Sequence, residues 1–156
     1  MEFDFDILKL SKKFVANYPP NKYPELMLKD DRPYNCLLIE TSLDYFICIP
    51  FRSSVLHNNA YIFKNTIRSK RTRSGLDYSK IVLIKDVSYL DSNHVVVDQD
   101  EYKNVATNIQ QIVSEATDYI NTYKKHINGS SPLHPKAFNR KYQYSTLSYF
   151  HDILGL

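Results

Sequence analysis

A long apolar stripe in the C-terminal half of the chain is the feature that most constrains the fold. Apolar residues recur at steps of three and four from Tyr102 to Ile127, the spacing that places them on one face of an α-helix. Asp98 followed by Glu101 resembles a capping box, and Asn128-Gly129 is a typical helix end. The stripe therefore predicts one long helix that packs against a core.

Short β-prone runs dominate the sequence before this helix. The predicted strands cover residues 3–7, 34–40, 45–51, 60–63, 81–84, 89–90 and 94–97. Residues 41–44 are predicted to form a hairpin loop, and symmetric pairing about it places Cys36 nearly opposite Cys48, both as buried thiols. Short helices are expected over residues 12–17, capped by Ser11, and over residues 144–154. The order predicts a single α+β domain over residues 1–156, with an antiparallel sheet of five to seven strands.

Composition excludes several functional classes. A chain of 156 residues is long enough for one domain with its own core. Three glycines are too few for a glycine-rich phosphate loop, and two cysteines are too few for a disulfide framework or a four-ligand zinc site. The longest uncharged apolar run, residues 45–51, is too short to span a membrane. The acidic N-terminus differs from a signal peptide, so we expect a cytoplasmic protein with no membrane partner. Residues 50–59, which hold the reactive side chains considered below, are accompanied by no HxxH, CxxC or carboxylate cluster, so we expect no metal or other cofactor.

The net charge of +3 conceals two basic segments on either side of an acidic one. Residues 64–85 carry seven cations and one anion, residues 86–118 carry seven anions and one cation, and residues 119–151 carry five cations and no anion. Such polarity is typical of a surface that binds a polyanion, and the 13 tyrosines supply aromatic faces on which unpaired bases can stack. RNA is the expected partner. A solvated basic surface without a ligand is the alternative.

The densest cluster of reactive side chains follows the predicted strand 45–51. Arg52, Ser53, Ser54 and His57 lie within six residues. RNA cleavage without metal needs a group that takes the proton from the ribose 2′-hydroxyl, a group that protonates the leaving 5′-oxygen, and donors that stabilise charge on the phosphorane. His57 suits proton transfer, Arg52 offers a planar fork for phosphate, and the two serines can donate to its oxygens.

Each of these residues also has a structural interpretation. His57 fits an ordinary surface histidine, and Ser53 with Ser54 fits turn hydrogen bonds. Arg52 fits an ion pair with Asp77 or Asp30. Chemistry alone leaves both interpretations open.

A second segment, residues 73–80, fits a basic loop that re-enters the sheet. Its polar side chains suit phosphate binding, whereas Leu76 and Tyr78 also fit packing positions at the start of a strand. Together with the basic segments, it completes the set of expected RNA-binding residues. These are Ser54, Lys64, Arg68, Lys70, Arg71, Arg73, Ser74, Tyr78, Lys80, Lys136, Arg140 and Lys141.

Four motifs in this order resemble the toxins of type III toxin–antitoxin systems, the ToxN/AbiQ-like endoribonucleases, and among them the CptN branch. The motifs are Arg32-Pro33-Tyr34, Ile49-Pro50-Phe51-Arg52-Ser53, His57-Asn58-Asn59 and Ser74-Gly75-Leu76-Asp77-Tyr78-Ser79-Lys80. The likeness is concentrated in residues 32–86. The better-known branch has a threonine at the position of Arg52, and both branches share the His-Asn-Asn motif.

This resemblance implies both a fold and an activity. The fold would be a strongly bent antiparallel sheet like that of the MazF/Kid toxins, with an SH3-like barrel core and helices around it. The activity would be metal-independent cleavage of cellular RNA to a 2′,3′-cyclic phosphate. The antitoxin would be a short repeated RNA pseudoknot that the toxin cuts from its precursor and then binds in a closed assembly. The resemblance implies a site role for Ser53 and for the basic or tyrosyl group at Arg32 and Tyr34. With Arg52 and His57 from the reactive cluster, these complete the expected catalytic set.

Two other classes of function remain open from the sequence. One is a non-catalytic RNA-binding or regulatory domain that uses the same basic surface. The other is an interaction module whose tyrosine-rich sheet binds protein.

Overall fold

The computed structural model describes residues 4–28, 34–91, 93 and 95–156. The strands are β1 Phe5–Leu10, β2 Asn35–Glu40, β3 Phe46–Arg52, β4 Ala60–Ile62, β5 Gly75–Asp77, β6 Val82–Ile84 and β7 Leu90–Asp91. The α-helices are α1 Lys12–Asn17, α2 Gln99–Ile127, α3 Pro135–Tyr142 and α4 His151–Leu154. Short 3-10 helices cover Pro24–Leu26, Arg68–Lys70, Tyr78–Lys80, Val87–Tyr89 and Leu147–Phe150.

The seven strands form one antiparallel sheet, so the predicted α+β class is confirmed. The strand order is β4-β5-β3-β2-β1-β7, and β6 pairs with β3 alongside β5. The sheet is neither closed nor strongly curled. The expected strongly bent sheet with a barrel core is therefore wrong. The two ends of the order, β4 and β7, have only three and two residues and do not pair with each other to close a barrel.

The hairpin of β2 and β3 forms as predicted, but its register differs from symmetric pairing. Cys36 lies opposite Pro50, and Cys48 lies opposite Leu38. The two cysteines are therefore diagonal rather than facing neighbours, and both are fully buried free thiols. Burial and the neighbouring Cys36 thiol raise the pKa of Cys48 well above its usual range.

The long helix that the apolar stripe predicted is confirmed. Helix α2 begins after Asp98 and ends at Asn128, and Gly129 follows with a φ of +79°. Its buried residues lie on the predicted stripe, apart from Glu101 and Tyr119. The capping box does not form: the side chain of Asp98 makes no cap hydrogen bond, and Glu101 pairs with an arginine described below. The helix is kinked at Asn108, whose φ of −115° and ψ of 19° are non-helical.

Three other parts of the chain differ from what the sequence predicted. The strand expected at residues 94–97 is irregular at 95–97, and His94 lies outside the described residues, as do Phe3, Asp30 and Arg32. Helix α3, which begins with Pro135 and has His134 as its N-cap, was not expected. The tail helix over residues 144–154 is only the 3-10 turn Leu147–Phe150 followed by α4. Within the described ranges, no helix combines the length and apolarity needed to cross a bilayer.

The pairing along one edge of β3 is interrupted beside the candidate site. Strands β5 and β6 pair with different parts of β3, and the 3-10 turn Tyr78–Lys80 bulges between them. Pro50 of β3 lies between the two paired stretches, and it has no N–H that could donate a hydrogen bond to a neighbouring strand. Asp77 therefore ends β5, and its side chain accepts the backbone N–H of Ser79 at 2.9 Å. The turn fixes a carboxylate beside the end of β3.

Candidate active site

A cleft of about 450 Å³ opens where β2 begins and β3 ends. The start of α2 and the 3-10 turn Arg68–Lys70 form its other walls. We call it the arginine cleft, and its polar lining includes Tyr34, Asn35, Arg52, Ser53, Arg68 and Glu101. Strand ends carry two of these residues, Asn35 and Arg52, and Tyr34 and Ser53 adjoin the same two strands, so the sheet restrains their positions.

Asp77 lies at the centre of the polar network beneath the cleft. Its side chain is 0 % exposed. One oxygen, Oδ2, accepts Nη1 of Arg52 at 2.8 Å. The other, Oδ1, accepts the hydroxyl of Ser79 at 2.6 Å and lies 3.1 Å from Nε2 of His57. The structure thus brings Arg52 and His57 together on one carboxylate, and of the two ion pairs considered for Arg52 it shows the one with Asp77.

The same contacts determine the charge of Asp77. Burial alone raises the pKa of this carboxyl, but hydrogen bonds from His57 and Ser79 and the nearby Arg52 guanidinium together lower it below its ordinary value. Asp77 is therefore ionised at neutral pH and holds Arg52 by a charge-assisted hydrogen bond.

A depressed pKa in the folded state makes stability depend on pH. The contribution of the Asp77 carboxylate is fully present above the unfolded pKa, about 3.9 for aspartate, and is lost as the pH falls through the lower folded value. We expect Asp77→Asn to reduce the free energy of unfolding at pH 7. We also expect the free energy of unfolding of this variant to fall less between pH 7 and pH 3 than that of the parent protein. Urea unfolding of both proteins from pH 7 to pH 3 measures this. Asp118→Asn, at an exposed site on α2, is the control. Parallel pH profiles for Asp77→Asn and the parent would contradict the assignment.

His57 is held at both ring nitrogens. The backbone N–H of Asn59 donates to Nδ1 at 3.0 Å, which assigns the ring proton to Nε2 on the Asp77 side. Nε2 also lies 3.2 Å from the Ser79 hydroxyl. With both nitrogens engaged, His57 positions the carboxylate and the loop after β3, and neither nitrogen is free to take a proton from a ribose. The structure favours the structural interpretation of this residue over the proton-transfer one.

Arg52 remains available to a ligand. Its side chain is 27 % exposed, and it gives one of its five N–H donors to Asp77 while lining the cleft. A guanidinium anchored on one edge loses little freedom when it binds an anion with the other. This geometry suits phosphate binding.

A second guanidinium faces the same cleft. Arg68 donates from Nε and Nη2 to the two carboxylate oxygens of Glu101, at 2.8 and 2.7 Å. Its remaining group, Nη1, donates to the hydroxyl of Ser53 at 3.3 Å. The Glu101 side chain is only 3 % exposed. The sequence placed Arg68 in a general basic segment and Glu101 in a capping box, and nothing in their spacing signalled this pair.

Tyr34 lines the cleft, while Arg32 lies outside the described residues. The Tyr34 hydroxyl donates to the carbonyl of Lys80 at 2.9 Å, and burial raises the pKa of Tyr34 well above its usual range. Tyr34 is therefore protonated at neutral pH, and its hydroxyl fixes the 3-10 turn that follows Asp77.

Four residues expected to bind RNA are buried or engaged within the fold. Lys80 is 7 % exposed and donates to Glu25 at 2.8 Å and to the carbonyl of Tyr144 at 2.7 Å. Tyr78 is buried and donates to Glu115 at 3.0 Å, and Ser74 is fully buried. Arg73 is exposed, but its guanidinium donates to the carbonyls of Val55 and His57 and to the side chain of Asn58. Burial of Ser74, Tyr78 and Lys80 argues against direct contact with RNA, and burial is not visible in the local sequence.

The other expected RNA-binding residues lie at the surface or close to it. Exposed residues are Ser54, Lys64, Lys70, Arg71, Lys136 and Arg140, and Lys141 is half-buried. Within the described part of the chain, no three His, Cys, Asp or Glu side chains form a group that would hold a metal ion.

Comparison of the chain with protein-family models, curated proteins and solved structures finds no match.

Proposed function

We propose that this protein is a metal-independent endoribonuclease and the toxin of a type III toxin–antitoxin system. The observation that carries the proposal is the arginine cleft, in which Arg68 donates to the hydroxyl of Ser53 and the guanidinium of Arg52 lines the same cleft. Three donors on rigid elements suit a phosphodiester, because negative charge on its non-bridging oxygens rises as the 2′-hydroxyl attacks. From the motifs of the sequence resemblance, Tyr34, Pro50, Phe51, Arg52 and Ser53 line this cleft.

The proposed reaction transfers the phosphoryl group within one strand of RNA. The 2′-oxygen bonds to phosphorus as its proton leaves, the bond to the 5′-oxygen breaks, and that oxygen gains a proton. The products are a 2′,3′-cyclic phosphate and a 5′-hydroxyl end. Arg52 and Ser53 bind the non-bridging oxygens, and Asp77 holds the Arg52 fork toward the cleft. His57 acts through Asp77 as a positioning residue.

The basic C-terminal segment supports a second, binding role for RNA. Lys136 and Arg140 are exposed one helical turn apart on α3, and Nζ of Lys141 lies 5.9 Å from the centre of the Tyr142 ring. In the first basic segment, by contrast, Arg68, Lys80 and Lys85 are in ion pairs with carboxylates. We propose that the α3 surface binds the folded repeat RNA that acts as the antitoxin in the cytoplasm, in a closed protein–RNA assembly.

Incubation of purified protein with RNA in EDTA tests the proposal. We expect cleavage to continue without divalent ions and to leave cyclic phosphate and 5′-hydroxyl ends, which mass spectrometry of the fragments identifies. Ser53→Ala, purified in the same way, controls for contaminating nucleases that leave the same ends. Cleavage abolished by EDTA, or products with 5′-phosphates, would refute the mechanism.

A non-catalytic RNA-binding domain is the second candidate, and the engaged state of His57 favours it. The same incubation separates the two functions. Binding that weakens with salt, with no new RNA ends, would establish the second candidate and reject the first.

A further inference from the structure

The loop that carries Arg68 is built more rigidly than a surface loop requires. The backbone N–H of Thr66 donates to the Ser69 hydroxyl at 2.8 Å, and the N–H of Ser69 donates to the Thr66 hydroxyl at 3.0 Å. The N–H of Ile67 donates to Asp100 in the first turn of α2 at 2.7 Å. These bonds, with the two from Arg68 to Glu101, fix the loop to the start of α2.

The Glu101 carboxylate is buried, although its partner Arg68 is not. Removing a carboxylate from water is unfavourable, and apolar residues of similar volume often stabilise a fold as well as a buried ion pair does or better. The pair also leaves Arg68 half-exposed, with Nη1 beside Ser53. Arg73, in contrast, uses its guanidinium to bind two carbonyls of the loop after β3.

The geometry points to Arg68 as a second phosphate-binding residue at the scissile bond, with Glu101 as its positioning residue. Nη1 of Arg68 is 3.3 Å from the Ser53 hydroxyl, so a phosphate oxygen that accepts from Ser53 lies within reach of Arg68 as well. Glu101 holds Nε and Nη2, which fixes the direction of the third group. This inference rests on the proposed endoribonuclease function, assigns Arg68 to the scissile phosphate and adds Glu101 to the site.

Single-turnover cleavage with saturating protein tests the inference. We expect Arg68→Lys to slow cleavage by about 10²-fold, because an ammonium cannot both pair with Glu101 at two points and reach the phosphate. Glu101→Gln should slow it by about tenfold, because a carboxamide accepts the fork at only one oxygen. RNA affinity should change much less than the rate. Glu40→Gln, at the exposed end of β2, is the matched control.

Chemical rescue distinguishes a role in the reaction from a role in folding. We expect added guanidinium ion to restore part of the activity of Arg68→Ala and to restore none in Arg68→Ala with Glu101→Gln, which lacks the anchoring carboxylate. Thermal unfolding at each guanidinium concentration accompanies the rates. Rescue of stability without rescue of cleavage would overturn the inference. So would effects of Arg68→Lys and Glu101→Gln that simply add in the double variant, because residues that act as a unit do not add.

Different results would refute the proposed function and the role of Arg68 and Glu101. If the parent protein does not cleave RNA, the proposed function is wrong. If the parent cleaves, and folded Arg68→Lys and Glu101→Gln proteins cleave at its rate, the proposed function stands and the role of Arg68 and Glu101 is refuted. If Arg68→Ala does not fold, Arg68→Lys decides, since it keeps the charge opposite Glu101.

Discussion

Replacing Arg52 by alanine is expected to slow RNA cleavage by about 10²–10⁴-fold, the usual effect of losing one group that stabilises charge in a transition state. Its guanidinium is held by Asp77 at 2.8 Å and lines the cleft, so its removal takes away positive charge where we propose that the phosphorane forms. Ser53→Ala should lose activity in the same range. Both genes should become tolerable in cells that lack the RNA antitoxin.

Rates on a short oligonucleotide and survival of expressing cells measure this effect. Lys85→Ala is the control, because Lys85 is an exposed cation that pairs with Asp44 away from the cleft. Arg52→Lys separates charge from shape, since lysine keeps the charge and lacks the planar fork. If a folded Arg52→Ala protein still kills cells, Arg52 has no role in cleavage and serves only in its ion pair with Asp77.

Gly75→Ala is expected to destabilise the fold by about 3 kcal/mol or more, the upper range for overpacking, because the clash is with backbone. A Cβ at this position would lie 2.1 Å from the carbonyl oxygen of Tyr61 and 3.0 Å from Cα of Ile62. Gly75 pairs with both β3 and β4, so neither strand moves away without breaking its ladder. Arg52, its partner in the register, would be displaced with it.

Urea unfolding compares this variant with Gly129→Ala. At Gly129, φ is +79° and an added Cβ meets nothing within 4 Å, so the cost there is only that of the left-handed backbone, about 1 kcal/mol. Equal destabilisation by the two substitutions would show that β4 can move away from Gly75. A much larger effect at position 75 would establish that the pairing beside Arg52 is rigid.

The sequence predicted those elements whose signals are local. The apolar stripe of α2 and its Asn128-Gly129 end recur within a few residues of each other, so periodicity alone located the helix. The boundaries of α1 and the strand ending at Arg52 were similarly close to those observed. Strand β5 was left open, because residues 73–80 fit both a basic loop and the start of a strand. Helix α3 escaped prediction because a polar eight-residue helix has no continuous apolar stripe.

The same difference applies to the candidate site. The sequence identified Arg52, Ser53 and His57 as candidate site residues because they lie together at the end of one predicted strand. It also gave Asp77 as one of two possible ion-pair partners for Arg52. It did not reveal that this carboxylate also binds His57, or that Glu101 pairs with Arg68 across 33 residues. Lys80 was taken for a surface cation because its charge is visible in the sequence and its burial is not.

The sequence by itself determined the α+β class, the long helix, the strand end that bears Arg52 and Ser53, and the uneven charge. Only the tertiary structure decided the register of the sheet and its open shape, and which cations face solvent and which are neutralised inside. The physical reason is distance along the chain. Helix periodicity and turn chemistry act over a few residues, whereas an ion pair such as Lys80 with Glu25, 55 residues apart, exists only once distant segments have packed together.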